Sequence, residues 1–366
     1  ASLLAHGDLD GDGLVDLVCA SSELHGVVWF PGGPNGPASS VRFAGSIAGL
    51  MLGLAVGDVD DDGFDDIVVT SGNGQLATYL HNDGAGGFDV VPLTANQYDL
   101  GSEIYITDFD LDGDKEVIVM RANGSPASNG PLLFDNFGGG LLAPPVEFLD
   151  RAGPYTDLAL FDVDGDGLRD AVMAGSHGDV YWFKNPGGPS TWTRTTIDAQ
   201  PFFRSISLRA VDLDGDGDLD LVMAARPFGE FRVYENLGGG AFGGRIDLGA
   251  STFEFANFEP IDADLDGDFD LIATTQGAAP LRWIENMGGL QFVDRGPFLN
   301  SGGLGAFDLD LADLNADGLP DLIVSDADTV EWIPGAPTSP SGLTFESDAL
   351  EVLRPVPSAS ESVVLD

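Results

Sequence analysis

Asp8–Leu17 reads DLDGDGLVDL, with four carboxylates and two glycines in ten residues. One such stretch would be an ordinary solvated turn, because Asp and Gly are turn residues. Six further copies follow it: DVDDDGFDD from Asp58, DFDLDGDKE from Asp108, DVDGDGLRD from Asp162, DLDGDGDLD from Asp212, DADLDGDFD from Asp262 and DLNADGLPD from Asp313. Their starts lie 50, 50, 54, 50, 50 and 51 residues apart, so a period of about fifty fills the chain. A chain of 366 residues would ordinarily divide into two or three domains. A tandem array instead spends its length on copies of one unit, and we read a single closed domain.

Within each unit the order of pieces is constant. A short alternating apolar run leads into the acidic loop; a second run, a turn, an aromatic run with a Gly-rich hairpin and a last short run follow. In the first unit these are SLLAHG, the loop, DLVCAS, GVVWFPGG and SVRFAG. Period-2 alternation, runs of about five residues and Gly-rich punctuation predict strands, and no stretch sustains helical periodicity. The third run and its hairpin recur as VVWFPGG at Val27, ATYLHNDGAGGF at Ala77, LLFDNFGGG at Leu132 and VYWFKNPGG at Val180. Later copies are RVYENLGGGAF at Arg232, LRWIENMGGLQF at Leu281 and VEWIPGAP at Val330. Asn followed by Gly supplies the positive φ of a tight hairpin. Trp29, Tyr79, Trp182, Tyr234, Trp283 and Trp332 read as packing residues between units.

Four strands fit each unit, and a unit that cannot bury both faces alone stacks radially on its neighbours. The expected fold is all-β, a seven-bladed β-propeller of four-stranded antiparallel blades. Blades fall at about 1–50, 51–100, 101–154, 155–204, 205–254, 255–305 and 306–350. The stretch 351–366 is left as a tail, either a linker or a source of a closing strand through SVVLD.

The loop pattern D-x-D-x-D-G-x-x-D places carboxylates at positions 1, 3, 5 and 9 and glycine at 6. Ca²⁺ takes about six to eight hard oxygen ligands, and alternating Asp residues in a tight loop converge on one centre. Position 7 adds a backbone carbonyl. The closing acid at 9, followed by apolar strand residues, excludes an EF-hand, whose acid comes at 12. Carboxylates crowded this way repel one another, so repeating the arrangement calls for a cation. Glu116 closes the third copy in place of Asp, and Asn315 at position 3 of the seventh removes a charge, which weakens that site.

The tandem pattern x-x-G-D-x-D-G-D-G-x-x-D-[LI]-[VI], with its aromatic-x-Asn-x-Gly-Gly hairpin, resembles FG-GAP/VCBS repeats, the blades of integrin α-subunit propellers and of many secreted bacterial proteins. The resemblance spans 1–350. The Phe-Gly and Gly-Ala-Pro signatures of integrins are mostly absent, so the bacterial VCBS-like branch is the closer match and integrin-style ligand recognition is not assumed. It implies up to seven Ca²⁺, one per blade, through positions 1, 3, 5, 7 and 9. The implied sets are Asp8, Asp10, Asp12, Leu14 and Asp16; Asp58, Asp60, Asp62, Phe64 and Asp66; Asp108, Asp110, Asp112, Asp114 and Glu116; and Asp162, Asp164, Asp166, Leu168 and Asp170. The remaining three are Asp212, Asp214, Asp216, Asp218 and Asp220; Asp262, Asp264, Asp266, Asp268 and Asp270; and Asp313, Asn315, Asp317, Leu319 and Asp321.

Charge narrows the partners. With 15 Lys and Arg against 60 Asp and Glu, the formal charge is -45, which argues against nucleic acid and against anionic membranes. No apolar run is long enough to span a bilayer. Cys19, the only cysteine, precludes an internal disulfide and reads as a buried structural thiol. The opening ASLLAHGD carries no signal peptide, compatible with a mature secreted product and equally with a trimmed chain.

Catalysis has little support in the sequence. The four His residues are scattered over three blades, and there is no G-x-S-x-G elbow, P-loop or Cys nucleophile. The expectation is a secreted or cell-surface, calcium-stabilised propeller that serves as a binding, adhesion or scaffold module for protein or glycan partners. The alternatives are a lectin with sugar sites between blades and a lyase-type polysaccharide-degrading enzyme. The calcium loops and hairpins fall on one face, and the more varied connections on the other are the expected binding face. Arg121, Arg151, Arg204 and Arg226 fall on that varied face and form a candidate pocket for an acidic glycan or carboxylate, unless each pairs with one of the abundant surface acids.

Overall fold

The computed structural model describes residues 2–22, 25–47, 49–72, 77–84, 87–93, 100–121, 130–149, 155–187, 191–199, 204–226, 230–248, 255–275, 281–299, 308–325, 329–337, 343–345 and 351–353. Seven four-stranded antiparallel sheets, each with its strands in chain order, form the blades of a propeller. The first strands line the ring: Ser2–Gly7 lies beside Met51–Gly57, and Arg204–Val211 lies between Tyr155–Phe161 and Phe255–Ile261. The ring closes where Asp308–Ala312 of blade seven meets Ser2–Gly7 of blade one.

The second strands explain why the acidic loops are held so firmly. Asp16–Ser21, Asp66–Ser71, Glu116–Arg121, Asp170–Gly175, Asp270–Thr275 and Asp321–Ser325 are buried at every residue. Each is covered on both faces by neighbouring blades, so it reads as a continuous apolar run rather than an alternating one. Outer strands such as Phe88–Pro92 are largely exposed. Seven apolar clusters fill the seven gaps between blades. The cluster of Leu4, Cys19, Phe30, Leu314 and Trp332 packs blade one on blade seven.

Among the described residues no strand is exchanged to close the ring. Blade one uses its own N-terminal strand as its innermost, and blade seven takes all four strands from the C-terminal part. Closure relies on that cluster and on two polar contacts: Leu4 N–H donates to Asp308 Oδ2 at 3.1 Å, and His6 Nδ1 lies 2.8 Å from Asp310 Oδ2.

The fourth strand of blade seven corrects the sequence reading of the tail. Glu351–Leu353, assigned there to the segment after the propeller, pairs antiparallel with Val330–Trp332 as the outer strand of the blade. Between them Gly335–Pro337 and Leu343–Phe345 form a separate two-stranded ribbon. A tight hairpin is replaced by this excursion, which delays the outer strand beyond residue 350.

Candidate metal centre

The loops build themselves from their own carboxylates. At position 1, Asp8 accepts from the amides of Asp12 (3.1 Å) and Gly13 (2.9 Å), and Asp58, Asp262 and Asp313 repeat the pair. At position 5, Asp12, Asp62, Asp112, Asp166, Asp216, Asp266 and Asp317 each accept from the amide of position 7, at 2.9–3.0 Å. These bonds wind the chain tightly enough that the glycine at position 6 has φ between 83° at Gly13 and 105° at Gly113, a region closed to other residues without strain. Asp61, Leu111, Leu265 and Ala316 accept positive φ at position 4, where the first, fourth and fifth copies have Gly.

The closing acids have a different setting. Asp16, Asp66, Asp170, Asp220, Asp270 and Asp321 are fully buried, and Glu116 nearly so. One oxygen of each accepts from the amide at position 2, from 2.7 Å for Phe109 to 3.3 Å for Val163. In six copies the other accepts from the hairpin amide of Gly32, Asn82, Asn185, Asn236, Asn286 or Gly335, at 2.7–2.9 Å. Trp182, Trp283, Trp332 and Tyr79 add a third donor from the aromatic strand, at 2.9–3.0 Å. The aromatic residues therefore pack between units as expected and also orient the acid through their polar tips. Burial pushes Asp16, Asp220 and Asp270 up to about 6 and Glu116 up to about 7, against the lowering effect of these hydrogen bonds.

Positions 3 and 1 supply what is left over. Oδ1 of Asp10, Asp60, Asp164 and Asp264 is buried and has no hydrogen-bond partner, and the same holds for Asp108 Oδ1 and Glu116 Oε1 in the third loop. One ligand atom each from Asp8, Asp10 and Asp16 lies within 4.8 Å of the others, and Asp58, Asp60 and Asp62, Asp108, Asp110 and Glu116, and Asp162, Asp164 and Asp170 converge equally. Burial first, then Asp266, raises Asp264 to about 6. In the seventh loop Asn315 spends its amide on Asp317 Oδ2 at 3.1 Å, partly relieving the repulsion that a cation would otherwise relieve.

Basic groups reach some loops and not others. Lys184 Nζ contacts Asp164 and lies 2.9 Å from Asp166 Oδ2. Arg42 Nη1 is 3.2 Å from Asp10 Oδ2 while its guanidinium covers the Trp29 ring. His81 Nδ1 lies 3.5 Å from Asp60 Oδ2.

The hairpin asparagines do work that the sequence reading missed. Their part is not to supply positive φ, which Gly84, Gly138, Gly187, Gly238 and Gly288 provide. Asn82 is buried and donates through Nδ2 to Leu9 O of the preceding blade at 2.7 Å and to Asp65 O of its own loop at 3.0 Å. Asn136, Asn236 and Asn286 bridge in the same way to Val59, Val163 and Leu213. The loop and the hairpin thus share one face, and each of these four asparagines ties two blades at the foot of a loop, whereas Asn185 donates to Arg169 O of its own loop. Its recurrence before Gly was the available signal.

A second network, on the first strands, was also not anticipated. Tyr105 donates to Asp157 Oδ1 at 2.5 Å, Asp157 Oδ2 accepts from Leu208 N–H at 2.6 Å, and Arg209 pairs with Glu259 Oε1 at 2.7 Å. Burial raises Asp157 and Glu259, opposed by Arg209.

The arginine cluster is corrected in one member. Arg121 ends a buried strand, donates to Gly130 O at 2.6 Å and pairs with Glu147 Oε1 at 3.1 Å, so it faces no ligand. The buried position demands a partner, and Glu147 provides it. Arg204 and Arg226 are opposite one another in the backbone pairing of blade five. Arg151 lies outside the described residues.

The FG-GAP-like repeat model matches residues 8–69, 58–119, 162–223, 212–273 and 262–324, each match running from one acidic loop past the next. The chain belongs to the FG-GAP-like repeat family. No curated protein matches its sequence. This FG-GAP-like propeller is similar in fold to a lectin of Agrocybe aegerita, described by its recognition of non-reducing terminal N-acetylglucosamine, at 20% identity and TM-score 0.62, over 96% of this chain and 94% of that one. It is similar also to BBS1N in complex with ARL6DN (14% identity, TM-score 0.60, 88% of each chain) and to the Dos1 propeller (13%, 0.53, 88% of this chain and 75% of that one). At these identities the likeness is one of fold.

Proposed function

We propose that this FG-GAP-like propeller is a calcium-stabilised binding module that works outside the cell, with Ca²⁺ held in the acidic loops and a protein or glycan partner engaged on the opposite face. The observation that carries the calcium reading is the set of buried position-3 oxygens that lack a hydrogen-bond partner while facing the carboxylates at 1 and 9. A buried, unpaired carboxylate oxygen is costly, and a hard divalent cation relieves it. The donors are all oxygen in every loop but the second, as Ca²⁺ prefers. Positions 1, 3, 5 and 9 would hold it, with the carbonyl of position 7. When bound it supplies folding energy by linkage, because the unfolded chain has no preformed site. Extracellular modules bind calcium at about 10⁻⁴–10⁻³ M, so partly exposed loops of this kind suit millimolar calcium outside cells.

Binding rather than catalysis is favoured by where the perturbed acids lie. Among the described residues they belong to the acidic loops, where they are closing acids held by the framework or members of the candidate metal sets, or to the paired first strands. The lectin and the ARL6DN complex among the similar folds support a recognition role in general terms.

Thermal unfolding with and without excess EDTA, coupled to metal analysis of the native protein, tests the proposal. The expected result is several Ca²⁺ per chain and a fall of the midpoint by 10 °C or more, on the order of several kcal/mol for a domain of this size. No bound metal and no shift would remove its chemical basis.

A further inference from the structure

The residue just before the hairpin asparagine, or before the glycine in its place, differs in nearly every blade: Pro31, His81, Asp135, Lys184, Glu235, Glu285 and Pro334. In blades two and four its side chain reaches the loop carboxylates. Only blade two offers a nitrogen ligand there.

His81 sits in the third strand of blade two, Ala77–Asn82, two residues beyond Tyr79 and therefore on the same side of the strand. Its Nδ1 lies 3.5 Å from Asp60 Oδ2, 3.4 Å from Asp66 Oδ1 and 3.4 Å from the Tyr79 hydroxyl. One ligand atom from each of Asp60, Asp66 and His81 falls within 4.8 Å of the other two. These separations are long for strong hydrogen bonds. They match the edge of a small tetrahedron, since ligands about 2.0–2.1 Å from zinc lie roughly 3.3 Å apart. Asp60 Oδ1, buried and without a hydrogen-bond partner, is an unspent donor in the same place.

The supporting shell is also present. Asp66 is fixed by Val59 N–H at 3.0 Å, Asn82 N–H at 2.7 Å and Tyr79 O–H at 2.9 Å, the kind of outer contact that orients a ligating carboxylate. A cleft of about 420 Å³ between blades two and three opens onto the site. Asp60, Tyr79 and His81 line it, with Leu93, Phe134 and Leu141 as apolar wall. It gives an ion a path in and leaves room for a water or a small ligand as a further donor.

We propose that the second loop is a site for a borderline divalent transition ion, with zinc as its probe, held by Asp60, Asp66 and His81 and open to the cleft between blades two and three. Imidazole beside carboxylates favours such an ion over calcium, whereas the all-oxygen loops favour calcium. Asp60 belongs both to this set and to the oxygen set of Asp58, Asp60 and Asp62, so the loop takes one ion or the other. The inference rests on the reading of the loops as metal sites, but it separates blade two from the rest.

The test is equilibrium dialysis of the whole chain against millimolar Ca²⁺ with Zn²⁺ equimolar to the protein, followed by metal analysis, and in parallel Co²⁺ absorption spectroscopy. The expected result is one zinc retained per chain and a visible Co²⁺ band of nitrogen and oxygen ligation. His81→Gln should weaken zinc at least tenfold and abolish the band while leaving calcium in the other loops. His81→Glu copies the Glu of blades five and six, a substitution that the fold already accommodates elsewhere, and should convert the loop to calcium. Zinc lost from the native protein in calcium excess, or retained equally by both variants, overturns the assignment. Calcium retention and the EDTA shift would be unaffected by that failure, so the two readings fall separately.

Discussion

The closing acid and the position-3 acid of a single loop are six residues apart and differ in almost every physical respect. In blade six, Asp270 is fully buried and accepts from Ala263 N–H, Asn286 N–H and Trp283 Nε1–H. Asp264 has a buried oxygen without a hydrogen-bond partner. One carboxylate belongs to the framework whether or not a cation is bound; the other has a full set of partners only when one is. The nine-residue motif is therefore a joint and a candidate metal site in one, and the two parts can be separated by experiment.

The largest effect should come from Asp270→Ala. It strands two buried donors and a part-buried one, and unsatisfied groups of this kind cost about 1–3 kcal/mol each, so a loss on the order of 4 kcal/mol is expected. Denaturant unfolding should give that loss in EDTA as well as in calcium. Asp264→Ala should instead lower stability in calcium and have little effect, or a slightly favourable one, in EDTA, because it removes a crowded charge. Equal behaviour of the two variants under chelation would erase the distinction between joint and metal site.

Next in size is Asn286→Ala. Its Nδ2 bridges Leu213 O at 2.7 Å and Phe269 O at 3.4 Å, and its Oδ1 accepts from Gly288 N–H. Loss of this clamp should cost about 1–3 kcal/mol, measured by the same unfolding curves, and should raise hydrogen exchange on both blade five and blade six. Protection lost in blade six alone would mean that the asparagine shapes only its own hairpin.

How much of this could be read beforehand follows from the range of each interaction. The acidic loop and the buried second strand are contiguous in sequence, so the period and the fold were legible from pattern alone. Asn82 and Leu9 are 73 residues apart, and the hairpin setting gave Asn-Gly a sufficient local explanation that concealed the clamp. Arg121 looked like a surface group because Glu147, its partner, lies 26 residues on. The Tyr105, Asp157 and Arg209 network joins first strands of three blades, and nothing local marks it. Glu351–Leu353 is a three-residue strand after a long excursion, too short for alternation to announce.

Acidity separates the metal-free from the metal-bound protein by sign. In the metal-free fold Asp16, Asp220 and Asp270 titrate near 6 and Glu116 near 7, all raised by burial above the ordinary carboxylate range of about 4. Between pH 4 and 7 the fold then holds protons that the unfolded chain has released. Its stability in EDTA should therefore fall as pH rises through that window. In calcium the slope should reverse, because protons compete with the cation for the same oxygens. Melting midpoints at pH 5 and 7.5, with and without EDTA, check both signs; parallel slopes would mean that the closing acids do not respond to the metal.

The smallest effect concerns the fourth loop, whose sequence DVDGDGLRD matches the consensus fully. Lys184 contacts Asp164 and Asp166, and this contact holds Asp166 below the usual carboxylate range. The ammonium compensates the loop's charge from an exposed position, where ion pairs contribute little to stability. Asp164 Oδ1 nevertheless stays buried without a hydrogen-bond partner, so the lysine occupies the outer oxygens and leaves the inner one for a cation. Lys184→Met should thus leave metal-free stability nearly unchanged and raise the calcium affinity of this one loop several-fold, seen as one tighter class in a calorimetric titration. If the titration is unchanged, the lysine contact is a surface pairing without influence on the ion, and the fourth loop behaves as its consensus sequence alone would suggest.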